Sequence, residues 1–224
     1  MTEQDLAGRG VVVTGSSRGI GAATAELLAA RGAGVVVNYR QKAPRANKVV
    51  QKIEEAGGRA VAVGGDVTSA EDRAALLDAA VESFGSLDVL VLNASGGMES
   101  QFGEDYAMKL NRDAQAALAD AAVERMSAGG QIVFVTSHQA HFINEVETMD
   151  SYEPVARSKR AGEDALRERI PAFTASCTRS KGISTSRTPP SSASPPPPGP
   201  SRAPPCSSGS RTAPSRSRSP ACSS

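Results

Sequence analysis

The residues Thr14 to Gly21 constrain the fold of this chain more than any other feature, because they join a short apolar strand to an alanine-rich helix. The run Gly10 to Val13 predicts a buried strand, and residues 22–31 predict a helix with one apolar side. Glycines between them permit a tight turn, and the positive end of a helix attracts anions. This pattern predicts a turn that binds the pyrophosphate of a dinucleotide.

Strand and helix patterns alternate through the rest of the first three quarters of the chain. This alternation is typical of an α/β fold with a Rossmann-type, doubly wound parallel sheet. Right-handed crossovers give the strand order 3-2-1-4-5 and place the glycine turn at the switch point where ligands bind. The predicted strands are 10–14, 34–38, 59–63, 87–92 and 130–136, and the predicted helices are 20–31, 44–56, 70–84, 104–127 and 154–169.

The glycine spacing Gly-x3-Gly-x-Gly, preceded by Thr14, resembles that of the short-chain dehydrogenase/reductase family. The resemblance extends over residues 8–172 and includes four further segments. They are Asp66 after an apolar run, Asn93-Ala94-Ser95-Gly96 after the fourth strand, Asn111 in the long helix, and Ser137 at the end of the fifth strand.

The resemblance implies an NAD(P)-dependent oxidoreductase that transfers a hydride between NADP(H) and a small-molecule carbonyl or secondary alcohol. It implies a homodimer or homotetramer, with helices 104–127 and 154–169 as the usual dimer faces. The cysteines and histidines lack the spacing of metal ligands, so we expect no metal site. By the same resemblance the catalytic residues are Asn111, Ser137, Tyr152 and Lys159. The cofactor-binding residues are Thr14, Gly15, Ser17, Arg18, Gly19, Ile20, Gly21, Asn38, Arg40, Asp66, Val67, Asn93, Ala94, Ser95 and Lys159.

The end of the second strand favours NADP over NAD. An acid at this point would bind the ribose hydroxyls of NAD and repel a 2′-phosphate, but the chain has Asn38 there. Arg18 and Arg40 can instead make charge-assisted hydrogen bonds to that phosphate.

The proton-transfer group departs from the family pattern. Relatives carry a tyrosine four residues before the lysine of the last helix, whereas this chain has Val155 there and its nearest phenol at Tyr152. Tyr152 can act as the acid/base from the turn before the last predicted helix, or it can simply pack against the start of that helix. His138 and His141 are an alternative proton relay. Two functions therefore stay open, an oxidoreductase with either full or impaired activity and a non-catalytic dinucleotide-binding protein.

The composition changes abruptly after Phe173. Residues 174–224 contain 11 prolines, 16 serines and no acidic residue. Such a sequence buries too little apolar surface to offset the entropy of ordering, so we expect a Rossmann domain over 1–173 and a disordered tail over 174–224. The sixth and seventh strands of the family are expected to be absent. A shift of the reading frame near residues 172–180 is one hypothesis for this tail, because out-of-frame GC-rich DNA encodes much Pro, Ser, Arg and Ala.

Composition elsewhere excludes several classes of protein. The net charge is only +1, the N-terminus is polar and acidic, and no apolar run has membrane-spanning length. We therefore expect a cytoplasmic protein without a membrane or nucleic-acid partner.

Overall fold

Parallel strands form the centre of the fold, and each of the first five comes from an apolar run predicted above. A computed structural model of the chain describes residues 4–98, 105–145, 147–170 and 174–178, all within the unit Met1–Arg187. The strands are β1 (Gly10–Val13), β2 (Gly34–Tyr39), β3 (Arg59–Gly64), β4 (Val89–Leu92), β5 (Gln131–Ser137) and β6 (Thr174–Thr178).

The sheet has the order β3-β2-β1-β4-β5-β6, with all five pairs parallel. The predicted order 3-2-1-4-5 is therefore confirmed. β1 lies between β2 and β4, with Val12 level with Val36 on one side and Leu90 on the other. The turn that follows β1 consequently opens at the switch point of the sheet.

The expectation that the sixth strand is absent is wrong. Residues 174–178 pair with 133–137 of β5, so β5 is not an edge of the sheet. A strand needs backbone groups aligned with a neighbour, and Thr-Ala-Ser-Cys-Thr contains no proline to interrupt them. The predicted disorder of the tail beyond 178, and the absence of a seventh strand, lie outside the described residues.

Helices cover both faces of the sheet, which explains why the central strands are apolar at almost every position. Val12 and Val36 pack into one core cluster, and their neighbours Val11 and Val35 pack into the other. The helices are α1 (Gly19–Ala30), α2 (Ala43–Glu55), α3 (Ala70–Phe84), α4 (Tyr106–Met108), α5 (Gln115–Val123), α6 (His138–His141) and α7 (Glu153–Arg169). Among the described residues, no helix is both long and apolar enough to cross a membrane.

The long helix predicted over 104–127 is interrupted. A π-helical turn, Lys109–Ala114, separates α4 from α5, and it lies where α7 approaches most closely. A Cβ on Gly162 of α7 would lie 2.3 Å from the Asn111 carbonyl oxygen, so only glycine fits this contact. The periodicity of apolar residues does not distinguish a short π-helical turn from an α-helix, so the sequence did not indicate the π-turn.

We expect Gly162→Ala to destabilise the fold by about 1–3 kcal/mol, the usual cost of overpacking, although alanine favours helices. The added methyl would push α7 from the π-turn at a backbone atom that cannot rotate away. Urea unfolding of the two proteins measures the difference. A variant as stable as the parent would show that this contact is not tight.

Asp88 links the starts of β1 and β4, and its pKa gives a prediction on acid stability. Burial alone would raise the pKa of Asp88, but hydrogen bonds from the Ser86 hydroxyl and the Gly10 N–H outweigh that effect and hold it below 3.8. Because the folded-state pKa is depressed, this stabilisation is present above about pH 3.8 and is lost as the pH falls through the folded-state value.

We therefore expect Asp88→Asn to lower the free energy of unfolding at neutral pH by about 1.5–3 kcal/mol, the value for hydrogen bonds to a charged group. The difference from the parent should shrink as the pH falls below 3.8. Denaturant unfolding at a series of pH values tests this, and a difference independent of pH would contradict it.

Candidate functional site

A cleft of about 930 Å³ opens along the carboxyl ends of the strands. It brings together all but two of the predicted site residues, although these come from distant parts of the chain. The predicted residues that line it are Gly15, Ser17, Arg18, Gly19, Ile20, Gly21, Asn38, Arg40, Asp66, Val67, Asn93, Ala94, Ser95, Ser137, Tyr152 and Lys159.

The glycine turn is fastened to β2 by Asn38. The side-chain oxygen of this buried residue accepts from the Gly15 N–H at 3.0 Å, and its amide nitrogen donates to the carbonyls of Val63 and Gly65 at 3.3 and 3.1 Å. The backbone N–H of Asn38 also donates to the Ser16 hydroxyl at 3.0 Å. Asn38 therefore holds β1, β2 and β3 together at the cleft, in addition to leaving this position uncharged.

Thr14 and Asn93 fasten the same turn to β4. The Thr14 hydroxyl accepts from the N–H groups of Asn93 and Ala94, both at 2.9 Å, and donates to the Val91 carbonyl at 3.3 Å. The Asn93 amide in turn donates to the Thr14 and Gly15 carbonyls at 2.9 and 3.2 Å. Thr14 is fully buried and is one of the two predicted residues outside the cleft lining, because its hydroxyl is occupied behind the turn.

The start of α1 fits a pyrophosphate. Arg18 precedes the helix without a side-chain cap, and the first turn holds no acid, so the helix supplies no anion of its own to its first N–H groups. Gly15 and Gly19 have φ of +61° and +59°. A Cβ on Gly21 would lie 2.5 Å from the Asn93 amide nitrogen, so a larger residue would separate the turn from β4.

Basic side chains gather at the end of the cleft beyond β2. Arg18 and Arg40 are joined there by Lys42 and Arg45, which the sequence analysis missed although they follow within five residues of Arg40. Arg40 donates a hydrogen bond to the Tyr106 hydroxyl and lies over that ring, 6.0 Å from its centroid. This contact spans 66 positions in sequence, so no local pattern indicated it.

Asp66 and Val67 form the wall beyond β3. The Asp66 carboxylate accepts from the Thr68 N–H at 2.9 Å and from the Thr68 hydroxyl at 2.8 Å, while also lining the cleft. Val67 is buried. Asp66 and Val67 therefore give this wall of the cleft an acidic and an apolar side chain next to each other.

The opposite end of the cleft collects the predicted catalytic residues Ser137, Lys159 and Tyr152. Ser137 ends β5, and Lys159 of α7 is 7 % exposed with its ammonium donating to the Val135 carbonyl at 2.9 Å. Tyr152 lies just before α7, with helical backbone angles and its N–H bound to the Met149 carbonyl at 2.8 Å. Tyr152 therefore lines the cleft from the N-cap of the helix.

Val155 also lines this end and is buried, as expected for an apolar residue at the position four before Lys159. Met98 and Leu110 add further apolar surface, and none of these three was predicted as a site residue. This end of the cleft therefore combines a few polar groups with an apolar wall, as small-molecule sites usually do. The other lining residues missed from sequence are Tyr39, Gln41, Gly65, Gly96, Tyr106, Val135 and Thr136.

Asn111 is the second predicted residue outside the lining. It is 1 % exposed, and its amide nitrogen donates to the Gly96 carbonyl and the Ser158 hydroxyl, both at 2.9 Å. Its side-chain oxygen accepts from the Gly96 N–H at 3.3 Å. Asn111 thus ties the loop after β4 to α7, immediately beside Lys159.

Neither His138 nor His141 lines the cleft. The His138 ring packs on Phe142 with centroids 5.1 Å apart, and the His141 Nδ1 lies 3.1 Å from the Glu163 carboxylate. Both belong to the short helix α6, which the sequence analysis did not predict. Their placement favours Tyr152 over the histidines as the group nearest to a ligand in the cleft.

Comparisons with known proteins agree with this geometry. A model of the family described as short chain dehydrogenase matches residues 9–153. Versicolorin reductase 1 of Dothistroma septosporum is 40% identical over 141 residues, which are 60% of this chain and 54% of that protein. The chain thus spans about half the length of this curated relative.

Solved structures show the same fold. The promiscuous reductase LugOII, which catalyses keto-reduction at C1 during lugdunomycin biosynthesis, is 30% identical, with a TM-score of 0.68 and coverage of 78% of each chain. A short chain dehydrogenase of Burkholderia cenocepacia in complex with NADP is 34% identical, with a TM-score of 0.65 over 74% of this chain and 70% of that one. On the family match and the arrangement of the cleft, the chain belongs to the short-chain dehydrogenase/reductase family of α/β Rossmann-fold proteins.

Proposed function

We propose that this chain is an NADP(H)-dependent oxidoreductase that reduces a ketone to a secondary alcohol. The observation that carries the proposal is the convergence of Ser137, Tyr152 and Lys159 on the cleft that also holds the glycine turn. Keto-reduction by LugOII and the NADP complex of the Burkholderia protein support the direction and the cofactor. The homodimer or homotetramer expected from the resemblance stays a prediction.

The binding residues would hold the dinucleotide along the length of the cleft. The uncapped start of α1 would bind the pyrophosphate, Asp66 and Val67 would contact the adenine end, and Lys159 would bind the nicotinamide ribose. A bound nicotinamide supplies the hydride. The protein's part is to orient the ketone, exclude water and supply a proton.

Ser137 and Tyr152 would act on the ketone oxygen. The Ser137 hydroxyl would donate a hydrogen bond that strengthens as negative charge develops on that oxygen, and Tyr152 would transfer its phenolic proton to it. Met98, Leu110 and Val155 provide an apolar wall, which favours a hydrophobic ketone. The direct test is incubation of the full chain with NADPH and a panel of aryl ketones such as 1-tetralone, measuring consumption of NADPH.

A second candidate is a non-catalytic dinucleotide-binding protein. Val155 favours it, because this residue replaces a phenol at the position one helical turn before Lys159. Tight binding of NADPH without turnover of any ketone in the panel would support this second function over the first.

The basic end of the cleft predicts that NADPH binds more tightly than NADH. Arg40→Ala should weaken NADPH binding by about 1.5–3 kcal/mol, the cost of removing a hydrogen bond to a charged group, and leave NADH binding nearly unchanged. Lys48→Ala is the matched control, because Lys48 is an exposed cation of α2 outside the cleft lining. Equal affinities of the parent protein for the two cofactors would refute the argument.

We expect removal of the Tyr152 phenolic hydroxyl to lower ketone turnover without weakening NADPH binding. Tyr152→Phe should lower kcat by about 10²–10⁴-fold, the usual contribution of a general acid, while NADPH affinity stays the same. Ser151→Ala removes the neighbouring, exposed hydroxyl and serves as the control. Full turnover by Tyr152→Phe would mean that the proton comes from another donor.

A further inference from the structure

Helix α7 carries a buried carboxylate that has no part in the proposed reaction. Glu163 is completely buried, behind the cleft rather than in it. A carboxylate in such a place is costly unless hydrogen bonds and a positive charge compensate it. The identity of its partners therefore indicates what the residue does.

Those partners belong to β5, α6 and α7. The Thr136 hydroxyl donates to one carboxylate oxygen of Glu163 at 2.6 Å, and the other oxygen lies 3.1 Å from Nδ1 of His141. The Arg167 guanidinium is 3.8 Å from that second oxygen. Glu163 thus joins α7 both to the end of the fifth strand and to the short helix that follows it.

A second residue of α7 also binds His141 of α6. The Arg160 guanidinium donates to the backbone carbonyl of His141 at 3.2 Å. The His141 side chain and backbone are therefore both held by α7. Since α6 has only four residues, fixing its last residue fixes the whole turn.

The other end of α6 is capped by Ser137. The Ser137 hydroxyl oxygen accepts from the Ala140 N–H at 3.2 Å. A serine hydroxyl has a single proton to donate, and an N–H bound to its oxygen restricts the directions in which that proton points. Ser137 also lines the cleft, so the position of α6 bears on the orientation of a hydroxyl beside the space that a ligand would fill.

We propose that Glu163 is a positioning residue, which holds the end of β5 through Thr136 and α6 through His141 against α7, and thereby orients the Ser137 hydroxyl toward the substrate oxygen. The proposal rests on the proposed function for the role of Ser137. The contacts that carry it, from Glu163 through α6 to the Ser137 cap, are independent of the reaction.

The test compares Glu163→Ala and Glu163→Gln with Glu168→Ala in the full chain, because Glu168 is an exposed carboxylate on the same helix. Hydrogen exchange should be at least about tenfold faster at the Ala140 amide in Glu163→Ala, with amides of β1 and β4 unchanged, since local opening is separable from global unfolding. In turnover assays kcat should fall on the order of 10²-fold, as for a small misplacement of a reacting group, with KM and NADPH affinity nearly constant.

Glu163→Gln keeps an oxygen acceptor for Thr136, and its amide can donate to Nδ1 of His141 when the imidazole proton is on Nε2, so it should recover most of the lost kcat. Glu168→Ala should match the parent. Exchange that is unchanged at Ala140, or faster by the same factor throughout the sheet, would overturn the proposal. If the parent reduces no ketone, the proposed function fails, and the exchange comparison alone decides this inference. If Glu163→Ala does not fold, His141→Ala takes its place and must show the same local loosening of α6.

Discussion

The turn after β1 can present an open helix end to a ligand only because the neighbouring strands take up its other polar groups. Asn38 binds the Gly15 N–H from one side, and Thr14 and Asn93 exchange hydrogen bonds from the other. A tight turn with glycines at positive φ would otherwise be costly in entropy, since glycine loses more freedom on folding than any other residue. The rigidity of the glycine turn therefore comes from its hydrogen bonds to the ends of β2 and β4 rather than from the turn itself.

The end of the cleft lined by Ser137 and Lys159 depends on the same loop after β4. Asn93 holds the glycine turn, and three residues later Gly96 is held on both its N–H and its carbonyl by Asn111. Asn111 also binds Ser158, the neighbour of Lys159. One loop thus sets the distance between the glycine turn and α7. The π-turn at Asn111 and the absence of a side chain at Gly162 let α7 come close enough for the hydrogen bond between Asn111 and Ser158. Asn111, which the family resemblance predicts to be catalytic, has a structural role here, because it links the loop after β4 to α7.

The parts of this fold that could be predicted are those that depend on short-range sequence patterns. The first five strands follow from apolar runs, and their order follows from the handedness of the crossovers. The glycine turn was predicted because its spacing is short-range. Residues that meet only after folding were missed: the Arg40–Tyr106 contact joins segments far apart in the chain, and the π-turn depends on the approach of Gly162. The sixth strand was missed because Thr-Ala-Ser-Cys-Thr lacks the large aliphatic residues by which the other strands were recognised.

Val155 lies beside the loop after β4, at the position where the family pattern has its tyrosine. Gly97, in the loop after β4, has φ of +116°, and a Cβ there would lie 2.5 Å from the Ala107 Cβ and 3.3 Å from a Val155 methyl. The Val155 side chain lies beside this loop and also lines the cleft. Tyr152 lines the same cleft from the N-cap of α7. The Tyr152 carbonyl accepts a hydrogen bond from the Ala156 N–H at 3.0 Å, so Tyr152 belongs to the first helical turn and lies about 10 Å along the axis from Lys159. The chain can therefore keep a phenol in the cleft while giving its usual place to an apolar residue that packs against the loop.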